Sequence, residues 1–471
     1  MNEFTYYSNI FKITEERLKV ISDTALERGG DYADLYFENT TYFNLLLKDG
    51  VVSSGGFHTD FGVGIRVLKG EKTGYAYSES TEMPDMIKAA KAAAVIATGM
   101  TDSRTYGAVT DKRLDIYPVR EDWRSMSAER ILPFLKELEK EIFSRDSRIV
   151  KVIARMSDSV SDVLMYNSLG ELTYETRPMG SVSVTAVFQQ GGKTENRTAS
   201  RSYRTGAEFI GKELIKELAY EAVKGIDARF DARRPKGGTM SVVMGAGASG
   251  ILLHEAMGHA FEADFNRKGQ SIFSDRIGQR VCPEGINIVD DGTLLWNRGA
   301  GNYDDEGVPG EKTYMVENGV LCSYLHDRIS AAWYGVKPTG NGRRENFRYH
   351  PIPRMRATYM ESGNADPDGI IASVRSGIYV DEFSNGQVKI GEGDFTFFVK
   401  SGHLIENGRL TAPVKDINVI GNGPQALADI VAVGNDLKID NGTWTCGKEQ
   451  SVPVSCGIPT VLISRLTVGG E

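Results

Sequence analysis

The stretch at 241–259 reads SVVMGAGASGILLHEAMGH. Its first four residues are apolar or small and predict a strand, the glycine-rich segment 245–250 predicts a turn, and the apolar residues after it open a helix. That helix carries two histidines and an acid, namely His254, Glu255 and His259. A strand, a glycine turn and a helix with metal-ligating side chains point to a site built where the helix begins.

The spacing of His254 and His259 sets a geometric condition on any shared metal ion. In a regular α-helix, side chains four residues apart lie about 40° apart around the axis, whereas side chains five apart lie about 140° apart. One extra residue in the turn, a π-bulge, would bring the two rings together, and Gly258 would permit such a distortion. We therefore predict that the backbone at 256–259 leaves regular helical hydrogen bonding. A regular helix through His259 would exclude a shared ion.

If the two histidines share an ion, Glu255 is placed to act as a general base towards a metal-bound water. A catalytic zinc ion needs a third protein ligand and one open position. Spacing does not choose among the candidates for that third ligand, which are Cys446, Cys456, Cys282, Cys322, Glu262, Asp264 and the run Asp304-Asp305-Glu306.

Two alternatives compete with a metal site. His254 and His259 could be unrelated polar residues on a partly buried helix. The segment Gly245–Gly250 also matches the dinucleotide-binding pattern GxGxxG, with Glu262 and Asp264 near the distance expected for a ribose-binding acid. Against this second alternative, the chain after residue 270 predicts strands and turns and not alternating βαβ units. A plainer explanation is that the glycines let the loop pack close to the start of the helix.

The remaining pattern predicts an α+β protein of two domains. Residues 1–235 alternate helices with antiparallel strands, including a strand, an Asp49-Gly50 turn and a second strand. The breaker-rich segment 229–238 places a domain boundary near residue 235. Residues 236–471 predict a strand-rich, barrel-like domain that carries the metal-binding helix. Other helices are expected at Glu15–Arg28, Met83–Met100, Ala128–Phe143, Ala207–Val223 and Ser330–Tyr334.

Composition narrows the class of protein. The chain has 471 residues, 41% of them hydrophobic and 25% charged, which is typical of a globular protein. Its net charge of −8 and the lack of a long Lys/Arg block argue against nucleic acid or an anionic membrane as the main partner. Neither a signal peptide nor a membrane-spanning run is visible, so we expect a cytoplasmic protein. Four cysteines are too few for a disulfide framework.

Several polar runs are more typical of a solvent-exposed surface than of a catalytic or metal-binding site. Asp304-Asp305-Glu306 predicts a solvated acidic turn. Arg343-Arg344-Glu345 predicts a surface patch of ion pairs, which could also hold a peptide carboxylate. Cys322 and Cys456 are expected to be small buried apolar residues.

Ten short motifs together resemble the TldD-type members of the TldD/PmbA family, also called TldE or modulator of gyrase. The motifs are Leu252–His259, Glu262–Gly269, Asp304–Gly307, Gly340–Arg344, Pro353–Met355, Gly386–Val388, Gly421–Pro424, Thr445–Lys448, Ser451–Val454 and Thr467–Gly470. They span most of the second half of the chain, whereas the first half resembles the family in general architecture only. This sequence departs from the family pattern at Arg356-Ala357. The family has Thr-Asn at these two positions, directly after Pro-Arg-Met.

The resemblance implies a zinc-dependent metalloprotease of the HExxxH type acting on unfolded or extended peptides. It makes His254, His259 and Cys446 the ligands of one zinc ion per catalytic subunit, with Glu255 as the base. It also implies a homodimer, or a heterodimer with a PmbA/TldE-like subunit, in which residues 1–235 form the dimer and its inner cavity. The alternative within this resemblance is a non-catalytic binding or assembly protein whose metal is structural. Four protein ligands in a closed site would favour that alternative.

Overall fold

The computed structural model describes residues 3–97, 115–247 and 249–470 of the chain. The α-helices within these ranges are α1 (Glu3–Phe11), α2 (Glu15–Leu26), α3 (Met83–Ala94), α4 (Ala128–Arg145), α5 (Lys212–Val223), α6 (Ile226–Asp231), α7 (Gly250–Leu253), α8 (Ala263–Arg267), α9 (Arg328–Tyr334), α10 (Pro367–Ser373) and α11 (Gly423–Ala428). Among these residues, no helix is both long and apolar enough to cross a bilayer.

The strands fall into a first-half group and a second-half group. The first group is β1 (Tyr32–Lys48), β2 (Val51–Lys69), β3 (Lys72–Ser78), β4 (Ile149–Asn167), β5 (Leu172–Gln190) and β6 (Lys193–Tyr203). The second group is β7 (Gly238–Met244), β8 (Ile288–Asp291), β9 (Lys312–Glu317), β10 (Val320–Leu321), β11 (Gly342–Arg343), β12 (Ile352–Pro353), β13 (Ala357–Met360), β14 (Ser376–Val388), β15 (Asp394–Glu406), β16 (Arg409–Val414), β17 (Ile417–Asn422), β18 (Ile430–Val433), β19 (Lys438–Asp440), β20 (Thr445–Lys448), β21 (Gln450–Pro453), β22 (Ser455–Ile458) and β23 (Val461–Gly469).

The first half is one antiparallel sheet in the order β3-β2-β1-β4-β5-β6. Because side chains alternate along a strand, β1 presents different residues to its two faces. Leu35 and Phe37 join the core under the helices, whereas Tyr36 packs with Tyr303 of the second half. The carboxylate of Glu38 accepts a hydrogen bond from a second-half backbone amide at 2.8 Å. One face of the sheet therefore carries helices and the other carries the second half of the chain.

The helices cover their face of the sheet through apolar stripes. In α4, the buried residues recur at the spacing of one helical face and pack with the central strands, as Ile131, Leu135, Leu138 and Ile142 do. The expected helix at Ala128–Phe143 is confirmed. This packing fixes the sheet as a rigid platform for the second half.

The second half contains a closed barrel. Five strands follow one another around the ring in the order β14-β7-β23-β17-β15, and β15 pairs again with β14. The pairing of β7 with β14 is parallel, and the other pairings of the ring are antiparallel. The predicted α+β class with a barrel-like second half is confirmed.

A second sheet, in the order β10-β9-β8-β13-β22-β19, lies beside the barrel. Helix α7 packs between the two, because Leu252 and Leu253 share a buried core with barrel residue Phe397 and sheet residue Met360. The start of the predicted metal-binding helix is thus held from both sides. The division into domains at residue 235 stays a prediction.

Some element boundaries differ from expectation. The strand expected after the Asp49-Gly50 turn is long and runs without a break from Val51 to Lys69 as β2. The helix expected at Met83–Met100 ends as α3 at Ala94, and its last three residues lie outside the described ranges. The short helices α8, α10 and α11 were not predicted, since five to seven residues give too little periodicity to recognise a helix.

The acidic and basic runs expected at the surface are buried, so both surface predictions were wrong. Asp304, Asp305 and Glu306 are at most 6% exposed, and Arg343 and Arg344 are each 4% exposed. Their partners lie far away in sequence: Arg66 of β2 pairs with Glu306 at 2.6 Å, and Arg177 of β5 pairs with Asp305. Charges that looked solvated in sequence thus join the two halves of the molecule. Cys322, expected to be buried, is exposed, whereas Cys456 is buried as expected.

Candidate metal centre

The residues from His254 to Gly258 form a π-helical turn at the end of α7. The amide of His259 donates to the carbonyl of His254, five residues back, where a regular helix would use the fourth. The predicted departure from regular helical bonding is therefore confirmed. The widened turn brings two side chains that a regular helix would hold about 140° apart to the same side of the axis.

Glycine is required at two positions around this turn because neighbouring atoms leave no room for a Cβ atom. Gly258 has ordinary helical angles, φ −58° and ψ −48°, so the turn does not use its conformational freedom. A Cβ built on it would instead overlap the sulfur of Met355. Gly250, at the start of α7, would place a Cβ 2.8 Å from the backbone nitrogen of Gly457. Close packing of the helix start on its neighbours thus explains these glycines.

Three ligand atoms converge beside the π-helical turn. One atom each from His254, His259 and Cys446 lie within 4.8 Å of one another, and all three residues are buried. The two imidazole rings are 5.2 Å apart between centroids and inclined at 81°. The sulfur of Cys446 lies 3.2 Å from Nε2 of His259. Cys446 is on β20, so the fold brings the ligand atoms together from opposite ends of the second half.

The donor set and its unpaired atoms fit a metal ion. His254 is 1% exposed, and within the described ranges neither of its ring nitrogens has a hydrogen-bond partner. Burial alone would raise the pKa of the Cys446 thiol, but the imidazoles of His254 and His259 outweigh burial and lower that pKa to about 4. A thiolate with two imidazole nitrogens is a usual ligand set for zinc. An ion bound at this point would give the buried histidine a partner.

A carboxylate orients the second histidine. Oε2 of Glu262 lies 2.9 Å from Nδ1 of His259, which leaves Nε2 of the ring facing Cys446. Lys448 reaches Glu262 at 3.0 Å. Burial raises the pKa of Glu262, but Lys448 and His259 outweigh it and lower the pKa to about 2. Glu262, a candidate ligand by sequence, thus holds a ligand in place, and its position three residues after His259 could have indicated this.

Arg354 positions the hairpin that carries the thiol. It is fully buried and donates to the carbonyl of Cys446 at 2.7 Å and to that of Gln450 at 2.8 Å. These bonds tie both strands of the β20–β21 hairpin to one guanidinium group. The sequence does not reveal this role of Arg354, because its partners are backbone atoms that leave no pattern in the sequence.

The other candidates for the third ligand lie elsewhere. Asp264 bonds to Lys448 at 2.7 Å, and Asp305 pairs with Arg177 at the face of the first sheet. Among the residues that the structure describes, His254, His259 and Cys446 are the one group of three metal-ligating side chains. Cys282, Cys322 and Cys456 are free cysteines outside this group.

Glu255 faces an open cavity next to the cluster. Its carboxylate lies 3.8 Å from Nε2 of His259 and its side chain is 27% exposed, in contrast to the buried ligand atoms. The cavity has a volume of about 890 Å³ and is lined by Glu255 and His259. Apolar and charged side chains complete its wall, including Val388, Ile390, Ile420, Lys389 and Asp394. The cluster therefore opens on a space large enough for several residues of a peptide.

The dinucleotide alternative is not supported. The sheet that follows the glycine turn pairs β8 with β9 and β13 with β8 in antiparallel fashion, unlike the parallel βαβ units of dinucleotide-binding folds. Glu262, its expected ribose ligand, is engaged with His259. Of the turn itself, Ala248 lies outside the described residues.

Models of one protein family match nearly the whole chain. PmbA/TldA metallopeptidase domain 1 matches residues 33–97, the central domain matches 121–229, and the C-terminal domain matches 237–470. A metalloprotease TldD homolog from Buchnera aphidicola is 36% identical, over 98% of this chain and 97% of its own length. A zinc metalloprotease TldD homolog from Saccharolobus solfataricus is 27% identical, over 95% of this chain and 98% of its own length.

Solved structures share the fold. A Thermotoga maritima protein named for modulation of DNA gyrase superposes with a TM-score of 0.79 at 22% identity, covering 98% of this chain and 99% of its own. TldE from Thermococcus kodakarensis gives a TM-score of 0.74 at 17% identity, covering 97% of this chain and 99% of its own. At these identities the likeness concerns the fold alone.

Proposed function

This chain belongs to the PmbA/TldD metallopeptidase family, and we propose that it is a zinc-dependent peptidase that hydrolyses unfolded or extended peptides. The observation that carries the proposal is the convergence of His254, His259 and Cys446 on one point beside an open cavity. Relatives that cover nearly the full chain are named metalloproteases, and one of them a zinc metalloprotease.

In this proposal, His254, His259 and Cys446 hold the ion. Nε2 of His259 faces the thiolate because Glu262 occupies its other ring nitrogen. A bound zinc ion supplies Lewis acidity, which lowers the pKa of a coordinated water and polarises a substrate carbonyl. Within the described part of the chain the group has three protein ligands and borders a cavity, which supports a catalytic role over a structural one.

Glu255 is the proposed general base. Its neighbour in sequence, His254, is a proposed ligand, yet its own carboxylate is outside the ligand group and borders the cavity. A carboxylate in that place takes a proton from the attacking water on one oxygen and delivers it to the leaving amine. Its partial exposure keeps the carboxylate free to exchange that proton within the cavity.

The proposed substrate is an extended chain. The cavity wall comprises residues near the ends of β14, β15, β17 and β20, for instance Val388, Phe395, Ile420 and Gly447. A space of about 890 Å³ holds several residues of an extended peptide and is too small for a folded domain. We include in the proposal a dimer, either of two copies or with a PmbA/TldE-like subunit, since TldE of Thermococcus kodakarensis has the same fold.

The test is hydrolysis of an unfolded polypeptide by the purified chain, alone and co-expressed with a PmbA/TldE-like partner. We expect cleavage that stops when a chelator removes zinc and returns when zinc is added. Cys446→Ser should bind zinc more weakly, and its activity should return only at higher zinc concentration. Cleavage that persists in metal-free protein, under either expression condition, would disprove the zinc mechanism.

A further inference from the structure

A cavity of about 250 Å³ lies on the side of the β20–β21 hairpin occupied by Thr445, Ser451 and Pro453. It is bounded by the first sheet through Tyr36 and by the second half through Tyr303. The metal-ligand group of Cys446, the next residue after Thr445, is not part of this cavity. It is therefore a separate space at the junction of the two halves.

The walls of this cavity are crowded with arginine. The six guanidinium groups that line it belong to Arg177, Arg204, Arg298, Arg343, Arg344 and Arg356. Arg177 pairs with Glu175 and Asp305, and Arg344 lies 3.7 Å from Asp34. The other four arginines form no ion pair with any side chain that the structure describes. Three of these four, Arg204, Arg343 and Arg356, are at most 9% exposed. Buried cations without an opposite charge are costly to fold unless an anion joins them.

Several donors at the cavity have no acceptor. Arg204 is 9% exposed and Arg356 is 3% exposed, yet within the described ranges Nε of Arg204 and Nη2 of Arg356 are buried without a hydrogen-bond partner. Nε of Arg344 is in the same condition. Buried side-chain donors are normally paired, so unpaired ones on the wall of a cavity indicate a missing acceptor.

The hydrogen bonds that do form leave the positive charge uncancelled. Arg343 donates to the carbonyls of Met355 at 2.6 Å and Pro453 at 2.8 Å. Arg298 donates to the carbonyl of Trp444 at 2.8 Å and to the hydroxyl of Ser202 at 2.6 Å. Neutral acceptors fix these guanidinium groups in place without neutralising them. The groups are thus oriented in advance.

The charges on the wall also act on one another. Burial and, to a smaller extent, nearby Arg204 together lower the pKa of Arg298 to about 10. Burial and Arg356 likewise lower the pKa of Arg343. The acids that face the cavity, Glu38, Asp304, Asp305 and Glu345, number four against six arginines. The cavity as a whole therefore retains an excess of positive charge.

We propose that this arginine cavity, defined by the six arginines above, binds a small oxyanion, either a free inorganic anion such as phosphate or the carboxylate of a peptide. Planar guanidinium groups match the geometry of both acceptors. The volume of about 250 Å³ accommodates a phosphate ion or the end of a peptide. The proposal needs no metal and stands apart from the peptidase assignment.

The test compares anion binding in the wild-type protein and in Arg204→Met. Thermal unfolding and titration calorimetry are run with inorganic phosphate, against sodium chloride of equal ionic strength. We expect phosphate to raise the melting temperature of the wild type and to bind Arg204→Met about 10- to 100-fold more weakly, since one charge-assisted donor is lost. In phosphate-free buffer, Arg204→Met should melt no lower than the wild type, because it removes an unpaired buried cation.

Arg201→Met is the matched control. Arg201 lies three residues earlier, on β6, and pairs with Glu217 at 2.6 Å outside the arginine cavity. Its substitution should leave the phosphate response unchanged. Arg298→Gln is a second variant of the arginine cavity. If Arg204→Met does not fold, the same comparison is made with Arg298→Gln.

Two further probes identify the source of the anion. Tri-alanine with a free carboxylate and its carboxy-terminal amide are titrated into the wild type and both cavity variants. Binding of the free acid but not of the amide assigns the cavity to a peptide terminus, whereas binding of phosphate alone assigns it to a free anion. An equal response to phosphate in the wild type and both cavity variants overturns the proposal. So does the absence of binding by every probe to the wild type.

Discussion

Arg66 and His254 are buried to the same degree, at 0% and 1% exposed, but they differ in their partners. Arg66 lies at the face of the first sheet, where Asp34 and Glu306 surround its guanidinium group with opposite charge. His254 lies beside the π-helical turn, where within the described residues both ring nitrogens lack a partner. The charge of Arg66 is balanced within the protein, although its Nη1 atom lacks a hydrogen-bond acceptor among the described residues. A ring nitrogen of His254 instead lies beside two other ligand atoms, those of His259 and Cys446. Paired buried charges therefore mark architecture here, whereas unpaired buried atoms mark a site only where other ligand atoms or a cavity lie beside them.

The largest effect should come from Glu255, on the functional side of this comparison. Glu255→Gln keeps the shape of the side chain but removes its capacity to accept a proton. We expect kcat to fall by about 10²- to 10⁴-fold, with zinc content and melting temperature unchanged because Glu255 is not in the ligand group. Steady-state kinetics on an unfolded peptide and metal analysis of the same sample would check this. Full activity in the variant would remove Glu255 from the mechanism.

The variant Arg66→Met tests the contribution of the buried ion pairs at the face of the first sheet. The variant leaves Asp34 and Glu306 buried beside each other without their shared cation, so we expect a loss of about 3–5 kcal/mol in the free energy of unfolding. Arg201→Met, which breaks a more exposed pair with Glu217, should cost about 0–1 kcal/mol. Chemical denaturation of both variants measures the difference. An equal loss of unfolding free energy in both variants would show that the buried ion pairs at the sheet face stabilise the protein no more than a more exposed pair does.

An intermediate effect is expected from Glu262, which is fully buried and acts through His259. Glu262→Gln should weaken zinc binding by about 10- to 100-fold, because a neutral amide orients and polarises the imidazole less than a carboxylate does. Asp264→Asn is the matched control, since Asp264 contacts Lys448 but is not a partner of His259. Competition with a zinc indicator gives both affinities. The same loss in both variants would assign the effect to Lys448.

The smallest effect should come from the glycine of the π-helical turn. Gly258→Ala places a methyl group against Met355, and we expect overpacking to cost about 1–3 kcal/mol. In Gly447→Ala, a Cβ meets no atom within 4 Å, so the free energy of unfolding should change by less than about 0.5 kcal/mol. Denaturant titration of the two metal-free variants separates packing from metal binding. A neutral Gly258→Ala would show that the turn has room to relax.

The local geometry of the metal centre could be predicted from the sequence. Two histidines five residues apart can share an ion only through a widened turn, and the π-helical turn at His254–Gly258 has that form. The reason given for Gly258 was wrong, because conformational freedom and tight packing both select glycine and the sequence cannot separate them. The strand–turn–strand at Asp49-Gly50 was also predictable, since its pattern is local.

Contacts between distant segments could not be predicted from residue patterns. Cys446 is 187 residues from His259, and only the family resemblance, not its spacing, singled it out among the candidate ligands. Asp305 and Glu306 look solvated because their arginine partners lie on strands of the first half. Asp304 instead accepts hydrogen bonds from backbone amides, which leave no pattern in the sequence. Whether a charged run is buried depends on which partners the fold brings to it, and a sequence window contains none of them.

Strand β1 packs against a different layer on each of its two faces, and this restricts how the gene for this protein can change in length. Phe37 packs in the core under the helices, and its neighbour Glu38 contacts the second half of the chain on the opposite face. Deleting or inserting a single codon within Tyr32–Lys48 would therefore exchange the side chains on the two faces beyond that point. At the hairpin tip Gly191-Gly192, an added Cβ would meet no atom within 4 Å, and extra residues would project into solvent. Length variation among descendants of this gene should therefore collect at such tips, while the long strands keep a constant residue count.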